Sequence, residues 1–231
     1  MRFTRQQPVF ENRYDAGRQL APRLAEYRNR SAVVLAIPNG GVLVGLGVAL
    51  ALNADFNIIV SRKIPLPLSP EGGFGAVTDD GTTILNEEMA KRFNLSQQQI
   101  NYQVSRVRAD IRQRSLLYRK DRPPPVVKGK TVIIVDDGLA SGYTMMAAVE
   151  SMRCRQPREI IVAVPVASAA ALPRVEKVAN RVVACVSGFG LEFYVSDFYR
   201  YWHEPSDEEV LQCFKEWGLR HRPDLENLGK K

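Results

Sequence analysis

Histidine and cysteine are scarce in this chain, with two of the first and three of the second among 231 residues. Cys154, Cys185 and Cys213 are odd in number and widely spaced, so neither a disulfide framework nor a zinc site is indicated, and they read as core or surface thiols. No apolar run approaches the roughly 18 residues that a membrane helix requires. The opening Met-Arg-Phe-Thr-Arg-Gln-Gln-Pro has no apolar signal region, which makes cytoplasmic residence without membrane association the expectation. Low-complexity tracts and Ser/Gly-rich linkers are missing too, so residues 1–231 read as a single domain. With 45% hydrophobic residues the chain is not disordered. What it does have is positive charge, formally +7. That suits a polyanionic substrate and equally a nucleic acid, because charge reports on partners and not on fold.

The most informative stretch runs from Lys130 to Met146. Val132 to Val135 is continuous and β-branched, as in a parallel strand covered on both faces, and Asp136-Asp137 stands at its carboxyl end, where ligands bind in such sheets. Adjacent carboxylates repel and lose hydration there, so they call for partners such as a metal or vicinal hydroxyls. Gly138-Leu-Ala140-Ser141-Gly142-Tyr143-Thr144 then offers small residues, hydroxyls and backbone N–H groups ahead of a helical Thr144 to Met152, a cradle suited to phosphate. A P-loop is excluded, since Gly142 is followed by Tyr143 and the loop has no lysine. A dinucleotide fingerprint is excluded by the glycine spacing, here and around Gly40-Gly41.

Apolar strand, two acids and a small-residue loop ending in Ser/Thr together resemble the motif by which type I phosphoribosyltransferases bind 5-phosphoribosyl 1-pyrophosphate (PRPP). The set looks most like an uncharacterised prokaryotic branch of predicted phosphoribosyltransferases. The likeness covers roughly Ala32 to Val186 in element order, and it implies a Rossmann-like α/β fold with a parallel sheet, a flexible lid and a small C-terminal hood. Patterning around it is consistent. Glu11 to Arg30 reads as one amphipathic helix, kinked at Pro22 and packed on the sheet edge. Strands are expected at Ala32 to Ile37, Phe56 to Val60, Val132 to Val135, Glu159 to Val164 and Arg181 to Val186, with helices at Val42 to Leu52, Gln97 to Tyr118 and around Ala169 to Ala179. Ser61 to Asn86, rich in Pro, Gly and Asp, reads as a mobile loop or a hairpin around Thr78-Asp-Asp-Gly81, and residues 64–86 would be the lid. Residues 187–231 would be the hood. Aromatic residues crowd from Phe189 to Trp202, and Ser206-Asp-Glu-Glu209 caps a last helix bearing Val210, Leu211, Phe214 and Trp217.

Carried over residue by residue, the resemblance assigns Asp136 and Asp137 to the ribose hydroxyls and, through water, to Mg²⁺. It assigns Gly138, Ala140, Ser141, Gly142, Tyr143 and Thr144 to the 5′-phosphate, and Asn39, Gly40, Gly41, Arg62 and Lys63 to the pyrophosphate. Many members have a basic residue where Asn39 stands. Asp136, Asp137 and Lys63 are the candidate catalytic residues, and Phe193, Tyr194 and Trp202 the candidate base-stacking ones. The implied reaction is Mg²⁺-assisted transfer of 5-phosphoribose from PRPP to a nitrogen acceptor, a purine, a pyrimidine, orotate or another base, by a homodimer in nucleotide metabolism. The rival is a catalytically silent regulator of the same fold that senses PRPP or a nucleotide and binds nucleic acid through the arginines of Arg106 to Arg119. Arginines around an amphipathic helix are more often a solvated face, so nucleic acid is not expected. A PRPP-synthesising diphosphokinase ranks last, because the chain is too short for two tandem domains.

Overall fold

The structure is a computed structural model that describes residues 8–67, 69–119, 124–188 and 193–221, with the side chains of 69–71 left aside. Five strands form a parallel sheet: β1 (Ala32–Ala36), β2 (Asp55–Ile58), β6 (Thr131–Val135), β7 (Glu159–Ser168) and β8 (Arg181–Gly188). Their spatial order is β2-β1-β6-β7-β8. β1 and β6 are buried along their whole length and pair in register from Ala32↔Thr131 to Ala36↔Val135. Successive side chains of β6 alternate between two cores, as the pleat requires. Ile133 and Val135 face the layer of α2 (Gly40–Leu52), while Val132 and Ile134 face that of α5 (Tyr143–Arg153).

Glu11 to Arg30 is not one helix. α1 (Arg13–Leu20) gives way to a 3₁₀ turn over Ala21–Tyr27, because the Pro22 ring cannot continue the α-helical ladder. The segment packs on α2 and over β7 and the edge strand β8, with Leu20 and Leu24 buried. The Pro- and Gly-rich stretch forms a second, antiparallel sheet of β3 (Ser61–Leu66), β4 (Ser69–Thr78) and β5 (Thr83–Leu85). The expected hairpin is there, with Gly81 N donating to Thr78 O at its turn, but the rest of the expected loop is ordered strand. Phe74 explains why, being fully buried in one core with Ile64, Val107 and Ile111. After the short α3 (Glu87–Arg92) comes α4 (Gln97–Arg119), which buries Val107 and Ile111 on the stripe that helical spacing predicts. α6 (Leu172–Glu176) is shorter than expected, and residues 120–123, with Pro123, lie outside the described residues.

The C-terminal residues divide in two. Phe10, Ala16, Val166, Phe198 and Tyr199 make a small satellite cluster, with Phe193 packed on it. α7 (Asp207–His221) instead joins the main core. Its expected capping box is present: Glu209 N donates to Ser206 Oγ and Ser206 N to Glu209 Oε2. Phe214 packs against Phe56 with ring centroids 5.1 Å apart, and Trp217 Nε1 donates to Ala54 O. Phe189 lies outside the described residues.

Candidate functional site

Because β1 and β6 are neighbours, the loops at their carboxyl ends meet, and Ile37 N donates to Val135 O across the junction. Asp136-Asp137 lies on one side of it and Gly40-Gly41 on the other. A Cβ on Gly40 would stand 1.9 Å from Asp137 Oδ2, and one on Gly41 2.8 Å from Val135 O. Only residues without a side chain allow this approach. Both glycines belong to the first turn of α2 and not to the preceding loop, so their amides sit at the positive end of a 13-residue helix.

Sequence reasoning missed Arg13. Its guanidinium, 3% exposed, donates through Nε to Asp137 Oδ2 at 2.7 Å and through Nη1 to His203 O at 2.5 Å. Trp202 covers it, with the ring centroid 3.7 Å from Cζ, and Tyr199 OH donates to Asp137 O. Nothing local marks this residue, which reads as one more polar position on an amphipathic helix. Burial raises the pKa of Asp137, and Arg13 works against that rise. Asp136 is held well above the usual carboxylate range by burial and by the charge of Asp137, although Asp137 N donates to its Oδ1. A cation or a pair of hydroxyls would relieve both carboxylates. Among the described residues no three His, Cys, Asp or Glu side chains form a metal cluster. The donor set of Asp136 and Asp137 is of the kind Mg²⁺ accepts, since that ion takes one or two carboxylates and fills its shell with water and substrate phosphate oxygens.

The loop after the acids is pinned from below. Leu139 is buried and bridges to β7, its N donating to Val166 O and its O accepting from Ser168 N, while Ser168 Oγ donates to Ala140 O. A Cβ on Gly138 would meet Val195 at 2.6 Å. Ala140 and Ser141 remain exposed. Gly142 has φ +84° and opens α5, so Tyr143 and Thr144 occupy the first turn of an 11-residue helix. Arg174, also missed, lies beside this loop, with Cζ 5.9 Å from the Tyr143 ring centroid.

The remaining candidates are dispersed. Both ends of the Asn39 side chain are engaged: Nδ2 donates to Pro205 O, and Oδ1 accepts from Arg114 Nη1. Only its backbone is left to meet a ligand. Arg62 and Lys63 alternate along β3 and face opposite ways. Arg62 is half-buried toward α4, its pKa lowered by burial and then by Arg114. Lys63 is exposed and lays its stem where a Cβ on Gly73 would be. Phe193 packs on Phe198, Tyr194 is exposed, and of the three aromatic candidates Trp202 is the one stacked beside the acids' arginine. The α4 arginines are largely committed within the chain: Arg108 donates to Gly81 O, Arg114 to Asn39, and Arg119 pairs with Asp79 at 2.6 Å.

Comparisons with known proteins agree on one family. The model of the phosphoribosyl transferase domain matches residues 10–197. Two Mycobacterium tuberculosis proteins, from strains CDC 1551 / Oshkosh and ATCC 25618 / H37Rv, each named "Putative phosphoribosyl transferase", are 34% identical over 203 residues. That match takes in 88% of this chain and 46% of theirs, so the chain spans about half the length of these relatives. The crystal structure of TT1426 from Thermus thermophilus superposes with a TM-score of 0.73 at 36% identity, covering 90% of this chain and 98% of that one. Fold, acid pair and small-residue loop thus stand in a chain that belongs to the phosphoribosyl transferase domain family.

Proposed function

We propose that this chain binds PRPP with Mg²⁺ and transfers its 5-phosphoribosyl group to a nitrogen of a nucleobase, releasing pyrophosphate. One observation carries the reading: two helix N-termini, those of α2 and α5, flank one pair of part-buried carboxylates at the carboxyl edge of the sheet. PRPP has a matching layout, with a diphosphate at one end, a 5′-phosphate at the other and a vicinal diol between them.

In the reaction the bond from C1 to the pyrophosphate oxygen breaks, its electron pair leaving with the oxygen. A C1–N bond then forms from the acceptor's lone pair, and the acceptor nitrogen's proton passes to the released pyrophosphate or to solvent. Positive charge builds on the ribose on the way. Asp136 and Asp137 hold the ribose hydroxyls and set negative charge beside that developing cation. The amides of Gly40 and Gly41, with Arg62 or Lys63, take the leaving pyrophosphate. The amides of residues 140–144 and the Ser141 and Thr144 hydroxyls hold the 5′-phosphate. Mg²⁺ held by Asp136 and Asp137 would neutralise charge on the leaving diphosphate. Trp202, half-exposed over Arg13, gives a planar base a stacking face. We further expect a homodimer, which sedimentation would check.

Calorimetry with PRPP and Mg²⁺, followed by pyrophosphate release across purines, pyrimidines and orotate, tests the proposal. We expect binding, and release with one class of base. No binding at millimolar PRPP would sink both the transferase and the PRPP-sensing regulator. Binding with no release on any base, together with nucleic-acid binding that depends on Arg106, Arg108 and Arg112, would favour the regulator.

A further inference from the structure

Asn39 precedes the helix-opening glycines, and its side chain is locked. Nδ2 donates to Pro205 O at 2.7 Å, so flipping the amide would set two oxygens face to face, and the orientation is fixed. Oδ1 has two neighbours, Arg114 Nη1 at 2.8 Å and Tyr118 OH at 3.0 Å. The tyrosine has one proton and a second acceptor in reach, the Asp207 carboxylate, which makes the stronger hydrogen bond. Arg114 is then the donor that holds Asn39. Its guanidinium also lies 3.7 Å from Asp207 and 3.3 Å from Tyr118 OH. It is anchored from α7 and from its own helix before it reaches the loop.

The same residue brings charge. Arg62 stands in the field of Arg114, and Arg114 itself reaches Asn39 at the N-cap of α2. Asp110, Glu204 and Asp207 face this region from α4 and from the segment leading into α7 and its first turn, and only Asp207 is close enough to Arg114 to pair with it. The positive end that meets an anion here is the set of amides at the α2 N-terminus, next to the Asn39 side chain that Arg114 holds.

We propose that Arg114 is the positioning residue of the 38–41 loop: through Asn39 it fixes the first turn of α2 and holds the Gly40 and Gly41 amides in the arrangement that takes a diphosphate. This rests on the reading that the loop takes the pyrophosphate of PRPP. A further positioning residue 75 positions from the loop in sequence is thereby assigned.

The test uses the full chain with Arg114→Gln, Arg114→Lys, Asn39→Ala and the double variant Asn39→Ala/Arg114→Gln. Mg²⁺-pyrophosphate and inorganic phosphate are titrated by calorimetry, circular dichroism checks the fold, and kcat and KM for PRPP are measured with the accepted base. Arg114→Gln should weaken pyrophosphate tenfold or more and raise KM for PRPP more than it lowers kcat, with phosphate affected less. Lysine should recover part of the loss, because it restores charge without the planar fork. The two single losses should not add, because both act through one contact. A folded Arg114→Gln chain that binds pyrophosphate within twofold of the parent, or full additivity with Asn39→Ala, overturns the inference and leaves the proposed function standing. A parent that binds PRPP but not pyrophosphate overturns the inference too, and one that binds neither removes the function with it.

Discussion

Arg13 governs the ionisation of Asp137, and Arg13→Gln, which strips the guanidinium from a buried carboxylate, should cost about 3–5 kcal/mol of stability. Burial already raises the pKa of Asp137, and losing the arginine raises it further. A carboxyl whose folded pKa lies above its unfolded value gives stability that is present at low pH and lost as pH rises through the folded pKa. The variant's melting point should therefore fall more steeply than the parent's as pH rises above the unfolded carboxylate value of about 4. Its Mg²⁺-dependent PRPP affinity should shift to higher pH, because the metal needs the ionised form. Identical pH profiles would refute the assignment. In the phosphate loop, Gly142→Val should hurt PRPP binding more than Ser141→Ala. The φ of +84° is strained for any side chain and the new Cβ would press on Val175 at 3.1 Å, whereas the serine is one donor among several, worth about 1.5 kcal/mol. Normal binding by the valine variant would place the phosphate elsewhere. The acids and this loop are legible in the sequence because they are contiguous. Arg13 is not, since its partner lies 124 residues away and its own neighbourhood carries no signal.

At the scale of elements, legibility follows burial on both faces. β1 and β6 read clearly because every side chain is covered, and α4 because a long helix repeats its apolar spacing many times. The β3–β5 sheet is obscured by Pro65, by register shifts on either side of it, and by glycines that look like hinges. Its turn is held by Asp80, which accepts from Ser151 Oγ of α5, Thr78 Oγ1 and Thr82 N. Burial alone would raise the Asp80 pKa, but these hydrogen bonds, that of Ser151 foremost, bring it down to about 2. The linkage sign is opposite to that of Asp137: the stabilisation is present above the unfolded value near about 4 and is lost as pH falls toward about 2. Ser151→Ala should cost about 1 kcal/mol at neutral pH, discounted for the partial exposure of Asp80, and the gap from the parent should narrow in thermal melts taken below about pH 3. A gap that is constant with pH would mean that Ser151 does not act through Asp80.

The candidate site draws on residues from Arg13 to Asp207, and the short segment leading into α7 ties its parts together. His203 O accepts from Arg13, Pro205 O from Asn39, and Asp207 from Tyr118. One strap, residues 203–206 with Asp207 opening α7, thus touches both the acid pair's arginine and the loop at Asn39. Its far end is fixed by α7, through Phe214 against Phe56 and Trp217 on Ala54 O. The sequence announces α7 by its capping box but not the strap, whose contacts at His203 and Pro205 are made by backbone carbonyls that any residue could provide. Phe214→Ala should open a cavity between α7 and β2 at a cost of about 3–5 kcal/mol, and it should also loosen the strap. The control is Ile160→Ala, at the amino end of β7 in the other core, with a loss in the same range and no contact with the strap. PRPP affinity measured well below both melting points should fall for Phe214→Ala and stay near the parent's for Ile160→Ala. Equal affinities at matched destabilisation would show that α7 supports the core alone, and that the two loops keep their geometry without the strap.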